Sequence, residues 1–231
     1  MITLLLVTVL TALIAALNPL TIDVVMMSIS SLLGKGKHPK HVGSHTASFG
    51  AGLFTAYGIA GLAAYWLLRA LPIGLVGYVA LAVGVALVLF GIVEIKDYFW
   101  RGQGFSFGLS AKAESKIHDW TKKHHTHARG FMLGVYTTLR LSHYALILVI
   151  GHSVFVILSA RYAFALPLLW AGAYMLPVLM LAGLVTNGSN IQNLLSWKDS
   201  TRHSMRLSIG LLYVLFGWIL ITLIAGGIKL G

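Results

Sequence analysis

ITLLLVTVLTALIAALNPLTIDVVMMSISSLLG, residues 2–34, is an apolar run interrupted by one proline, Pro19, and one charge, Asp23. As a straight helix it would be about 45–50 Å long at 1.5 Å per residue, against about 30 Å of bilayer hydrocarbon. Tilt absorbs part of that excess. A break absorbs more, and Pro19 supplies one by removing an amide donor and clashing with the preceding turn. The sequence therefore predicts a broken first span, with carbonyls and amides freed around Asn18-Pro19-Leu20-Thr21. Asp23 follows four residues after Pro19. A lone charge inside a span costs roughly 2.5–3.5 kcal/mol on insertion scales, which marks Asp23 as a candidate functional group.

Working outward, a second overlong run extends from Gly130 to Ala160 and carries its own buried charge, Arg140. It has no proline; its polar cluster Arg140, Ser142 and His143 is the candidate for irregular backbone. Between and beyond these two runs lie shorter ones. The predicted spans are 2–33, 43–68, 73–95, 130–160, 163–186 and 207–228, cut at Lys35–His41, Arg69–Pro72, Lys96–Arg129, Arg161 and Asn187–Arg206. The long members are the first and fourth. Three spans, a linker and three more spans imply an all-α, polytopic fold of six transmembrane helices built as two inverted three-helix repeats. The corresponding division is 1–99 for the first half, 100–128 for a basic, His-containing linker and 129–231 for the second half.

Composition agrees. The chain is 58% hydrophobic and 10% charged, where a soluble domain carries about 25% charge. Thirteen of the seventeen Lys and Arg residues fall in the loops after spans one, three and five. This places those loops in the cytoplasm and both termini outside the cell membrane. The net charge of +11 is thereby assigned to topology rather than to nucleic acid. The N-terminal run lacks a basic leader and continues through Pro19, unlike a cleavable signal peptide. The chain has no cysteine, which excludes disulfides, thiolate metal sites and thiol redox relays.

Small residues recur at helical spacing: Gly52, Ala56, Ala60 and Ala64 in span two, Gly77, Gly84 and Gly91 in span three, and Gly210 and Gly217 in span six. Such ribbons let helices approach closely in lipid. Pro177 in span five predicts a kink.

The candidate substrate or ion site comprises Asn18, Pro19, Thr21, Asp23, Arg140, Ser142 and His143. Counted from Arg129 and Lys35, Arg140 and Asp23 reach similar depths, roughly 16 Å in. They form either a functional pair or a structural one. His143 is a candidate proton relay. His124, His125 and His127 in the linker are a candidate divalent-metal site, since neutral imidazole suits such ions; the alternative is a solvated basic loop facing anionic headgroups. No phosphate loop, nucleophile–base arrangement or zinc-enzyme spacing is present, so no enzyme activity and no cofactor are expected.

Several stretches resemble the transmembrane thiol-electron carriers of the CcdA and DsbD type, within the LysE-like transporter superfamily. They are Ala16-Leu17-Asn18-Pro19-Leu20, Gly52–Gly58, the segment from Phe90 through Glu94 to Ser106, Gly130–Val135 and Ala173-Tyr174-Met175-Leu176-Pro177. The resemblance implies the same helical fold. It also implies two reactive cysteines, one at the place of Leu20 and one within Leu139–Tyr144, and neither is present. A dithiol relay needs both sulfurs, so the resemblance carries the fold and not the redox activity. The superfamily includes exporters of amino acids and metal ions. The expectation is a transporter, an exporter of a small solute or ion, with a midplane site on the broken spans one and four. The alternatives are a divalent metal-ion exporter using the His-containing loops, or a redox-inactive scaffold or accessory protein. The expected partners are the lipid bilayer and the transported species, with a divalent metal in the second reading and no nucleic acid.

Overall fold

The computed structural model describes residues 2–100, 115, 117, 119, 126–141, 143–160, 163–188 and 190–225. Among these the architecture is all-helical. α1 (Ile2–Ala16) and α2 (Pro19–Leu33) are followed by α3 (Pro39–Ala70) and α4 (Ile73–Phe99). After the linker come α5 (His127–Tyr136), a π-helical turn (Thr137–Leu141), α6 (His143–Ser159), α7 (Leu166–Thr186) and α8 (Ile191–Ala225).

The first run is broken where its proline predicts. α1 and α2 meet at 55°. The amides of Leu17 and Asn18 close α1 by bonding Ile14 and Ala15 carbonyls at 3.1 and 3.2 Å. Asn18 then starts α2, its side-chain oxygen accepting from the Leu20 amide at 2.9 Å, with Pro19 in the first turn. Proline is favoured there because its missing N–H would have no partner in the first turn. The second long run also loses α-geometry, at Thr137–Leu141, a turn that includes Arg140. The hydroxyls of Thr137 and Thr138 bond back to the carbonyls of Leu133 and Gly134 at 2.7 and 3.2 Å.

Four described helices are long and apolar enough to cross a membrane: α3, α4, α7 and the Gln192–Ala225 part of α8. The bent pair α1–α2 makes five. Residues 130–160 are divided among α5, the π turn and α6, none of which reaches that length alone. Large apolar side chains such as Ile59, Leu67, Leu89, Met180 and Trp218 are exposed on the outer surface. An outer surface this apolar is compatible with an integral membrane protein. One boundary is corrected. Asn187–Arg206, expected as a loop because it is polar, is helical from Ile191 onward, so α8 is 35 residues long. Pro177 lies inside α7, whose helix runs on through it to Thr186.

Glycines set how the helices pack. α4 and α8 cross antiparallel along a seam of four. A methyl group at Gly84 or Gly217 would lie 2.9 or 2.5 Å from the other's carbonyl oxygen, and at Gly91 or Gly210 2.6 or 2.9 Å. α3 and α7 also run antiparallel, with Gly43 against Thr186, Gly50 against Val178, Gly58 against Ala171 and Gly61 against Pro167. A third face of α3 receives α5, Gly52 meeting Phe131 and Gly134 meeting Phe49. Of the expected ribbon in span two, Gly52 and Ala56 are buried, whereas Ala60 and Ala64 are only partly so.

Candidate functional site

Thr21 and Asp23 are two residues apart on α2 and therefore about 200° apart around it. The break in the first span thus presents two faces with different chemistry.

On the inner face, Asn18 and Thr21 are buried. The Thr21 hydroxyl lies 3.2 Å from that of Tyr174 on α7, and the Tyr57 hydroxyl of α3 donates to Tyr174 at 3.4 Å. Trp170 stacks on Tyr174 with centroids 5.3 Å apart and 23° between the planes, and Tyr57 meets Trp170 edge-on at 5.7 Å. His152 of α6 lies 6.3 Å from the Trp170 ring, its Nε2 held 3.0 Å from the Thr8 hydroxyl of α1. Five helices therefore converge on one polar and aromatic cluster. Within it, Trp170 Nε1 and His152 Nδ1 have no hydrogen-bond partner among the described residues, although both side chains are 1% exposed. Leaving a buried donor or acceptor unmade costs roughly 1–3 kcal/mol. The rings pack on one another and are almost wholly buried.

On the outer face, Asp23 meets α8. Arg202 Nη2 donates to Asp23 Oδ2 at 3.0 Å, and Lys198 Nζ lies 3.3 Å from Oδ1. One turn further along α8, Arg206 bonds Asp97 and lies 4.0 Å from Glu94, both near the end of α4. Lys96 also contacts Asp97, at 2.6 Å. Lys198, Arg202 and Arg206 recur every fourth residue and so share one helix face.

Of the residues grouped from the sequence, Asn18 and Thr21 lie at the inner cluster and Asp23 at the ionic one. Among the described residues the cations that face Asp23 are Lys198 and Arg202. The side chains of Arg140 and His143, and Ser142 entirely, lie outside the described residues. The π turn that carries Arg140 touches α2 and α3. Sequence reading overlooked Tyr57, Trp170, Tyr174 and His152 as one cluster, and aromatic residues on apolar faces give no pattern that separates a site from a core. The α8 stripe did leave a signal, the four-residue spacing of its cations.

His124 and His125 lie outside the described residues. His127 contacts the Ser44 hydroxyl at 3.3 Å, and its ring lies 5.5 Å from that of His41. Among the described residues no three metal-binding side chains are grouped to hold an ion. No protein-family model matches the chain, and neither does a curated protein or a solved structure.

Proposed function

We propose that this chain is a small membrane transporter, an exporter of a small solute or ion, that binds its cargo at the broken first span. The observation that carries this reading is the inner cluster. A helix break sets Asn18 and Thr21 against Tyr57 and Tyr174, and two fully buried ring nitrogens beside them lack partners among the described residues. Most buried polar groups in a folded protein have partners, so two such nitrogens in one cluster support a site where a ligand supplies the missing bonds.

The inverted-repeat layout belongs to the same proposal. Spans two and five pair antiparallel, as do spans three and six, and the irregular stretches fall in spans one and four. That arrangement suits alternating access, in which one half rocks against the other around a central site. The likeness of Glu94–Ser106 and its companions to CcdA- and DsbD-type proteins supports the fold, and the missing cysteines support transport over redox chemistry. The π turn beside α2 contributes the second broken span to the site, and the basic loops face the cytoplasm.

Flux in proteoliposomes, with and without a pH gradient, across amino acids and divalent metal ions, tests the reading directly. Tyr174→Phe and Thr21→Val each remove one hydroxyl from the cluster. Each is expected to lower flux by about three- to tenfold, as the loss of one net hydrogen bond implies, while elution as a folded, monodisperse protein is retained. Absence of flux for every cargo, or full flux in both variants, discards the site.

A further inference from the structure

We infer that the contact between α2 and the N-terminal arm of α8 is a releasable latch, in which Asp23 held by Lys198 and Arg202 keeps α2 against α8 beside a cavity. What opening serves rests on the transport reading; the latch itself does not.

Three observations converge. The first is a hinge. α2 is joined to α1 through a 55° break at Leu17-Asn18, so the two segments need not move as one rod. The second is the chemistry of the contact. Asp23 is 8% exposed, accepts a hydrogen bond from Arg202 and is ion-paired with Lys198, two cations one turn apart on α8. An ion pair can be made and broken as a unit, because each group regains hydration when the partners part. The third is the packing around it. A cavity of about 230 Å³ opens beside the pair, lined by Met26, Met27, Ser30 and Ser31 of α2 and by Leu195 and Lys198 of α8.

The α4–α8 contact is built the opposite way. There, glycines bring the backbones together at Gly84, Gly91, Gly210 and Gly217, and Arg206 anchors the arm to Asp97. Separating that seam would forfeit dense van der Waals contact. Of the α8 contacts with α2 and with α4, the one with α2 is therefore the one suited to open. Asp199 also lies 3.4 Å from Lys198. It is exposed, so Lys198 retains a counter-charge when Asp23 departs.

The cysteine-free chain permits a direct test that needs no cargo. Met26→Cys places one thiol on the α2 wall of the cavity, at a position that is 0% exposed. Ser31→Cys places one at the partly exposed rim and serves as the control. Maleimide labelling of the full-length protein in membranes is then compared with the latch intact and removed. Asp23→Asn is expected to raise the Met26→Cys rate by at least about tenfold and to leave the Ser31→Cys rate within about twofold. If that variant does not fold, Asp23→Asn/Lys198→Met/Arg202→Met removes the paired charges together. Replacing a whole ion-pair set by apolar groups is commonly tolerated. The triple variant should show the same selective acceleration. An unchanged Met26→Cys rate in a folded variant overturns the latch, and so does equal acceleration at both positions, which is general loosening. Accelerated labelling in a protein that transports nothing sustains the latch and removes the transport reading alone.

Discussion

Arg206→Ala is expected to destabilise the folded protein by about 3–5 kcal/mol, the usual cost of removing one partner from a buried ion pair. Arg206 stands between Asp97, which it bonds, and Glu94, 4.0 Å away. These two carboxylates are 2% and 3% exposed. Without the guanidinium, both face dry surroundings and each other, with Lys96 left at the edge. The measurement is thermal unfolding of the purified protein in detergent, together with the yield of monodisperse material. Restoring neutrality should recover most of the loss: Glu94→Gln/Asp97→Asn/Arg206→Met removes charge and counter-charge at once. A parental melting curve for Arg206→Ala would mean that water solvates these carboxylates and that the burial seen here is not dry. Lysine at 206 should rescue only partly, because an ammonium lacks the planar fork with which a guanidinium reaches neighbouring carboxylates.

The second large effect is steric. Gly52→Ala and Gly134→Ala each introduce a methyl group where a backbone carbonyl already stands: that of Phe131 for Gly52, and that of Phe49 for Gly134. Neither oxygen can swing aside as a flexible side chain would, so α3 and α5 must separate. Overpacking of this kind costs about 1–3 kcal/mol or more. Gly77→Ala is the internal control. A methyl group there meets no described residue within 4 Å, so the substitution should be neutral or slightly stabilising through helix propensity. Unfolding midpoints should therefore fall for the first two variants and hold for the third. If Gly77→Ala is as harmful as Gly134→Ala, the α3–α5 approach is not what fixes the bundle.

That contrast also shows how far the sequence can be read. Gly77, Gly84 and Gly91 recur with one spacing, and spacing alone weights them equally. Only the crossing partner distinguishes them, with α8 opposite Gly84 and Gly91 and no described residue close beside Gly77. The break at Asn18-Pro19 was legible because proline acts on its own local backbone. The all-helical character and the apolar runs were legible because they depend on composition and length. The start of α8 was not. Lys198, Arg202 and Arg206 were read as loop charges, but charges at four-residue spacing are also what a helix presents when buried carboxylates lie opposite. Asp23 was singled out correctly as unusual, yet its counter-ions come from more than 170 positions away in the chain. Such a pairing follows from the packing of α2 on α8, and no local pattern encodes it. The inner cluster was half legible: Asn18 and Thr21 stood out beside the proline, whereas Tyr57, Trp170, Tyr174 and His152 looked like ordinary core residues.

The length of α8 gives the molecule leverage. Its 35 residues make a rod of roughly 52 Å, and the reach from Gly210 in the seam to Lys198 on the arm is about 18 Å. With the seam as fulcrum, a swing of only about 10° carries the Lys198 backbone roughly 3 Å, which is comparable to the separation of its ammonium from Asp23. In the proposed latch, a small displacement at the pivot would be amplified at the tip into the difference between a bonded and an unbonded carboxylate.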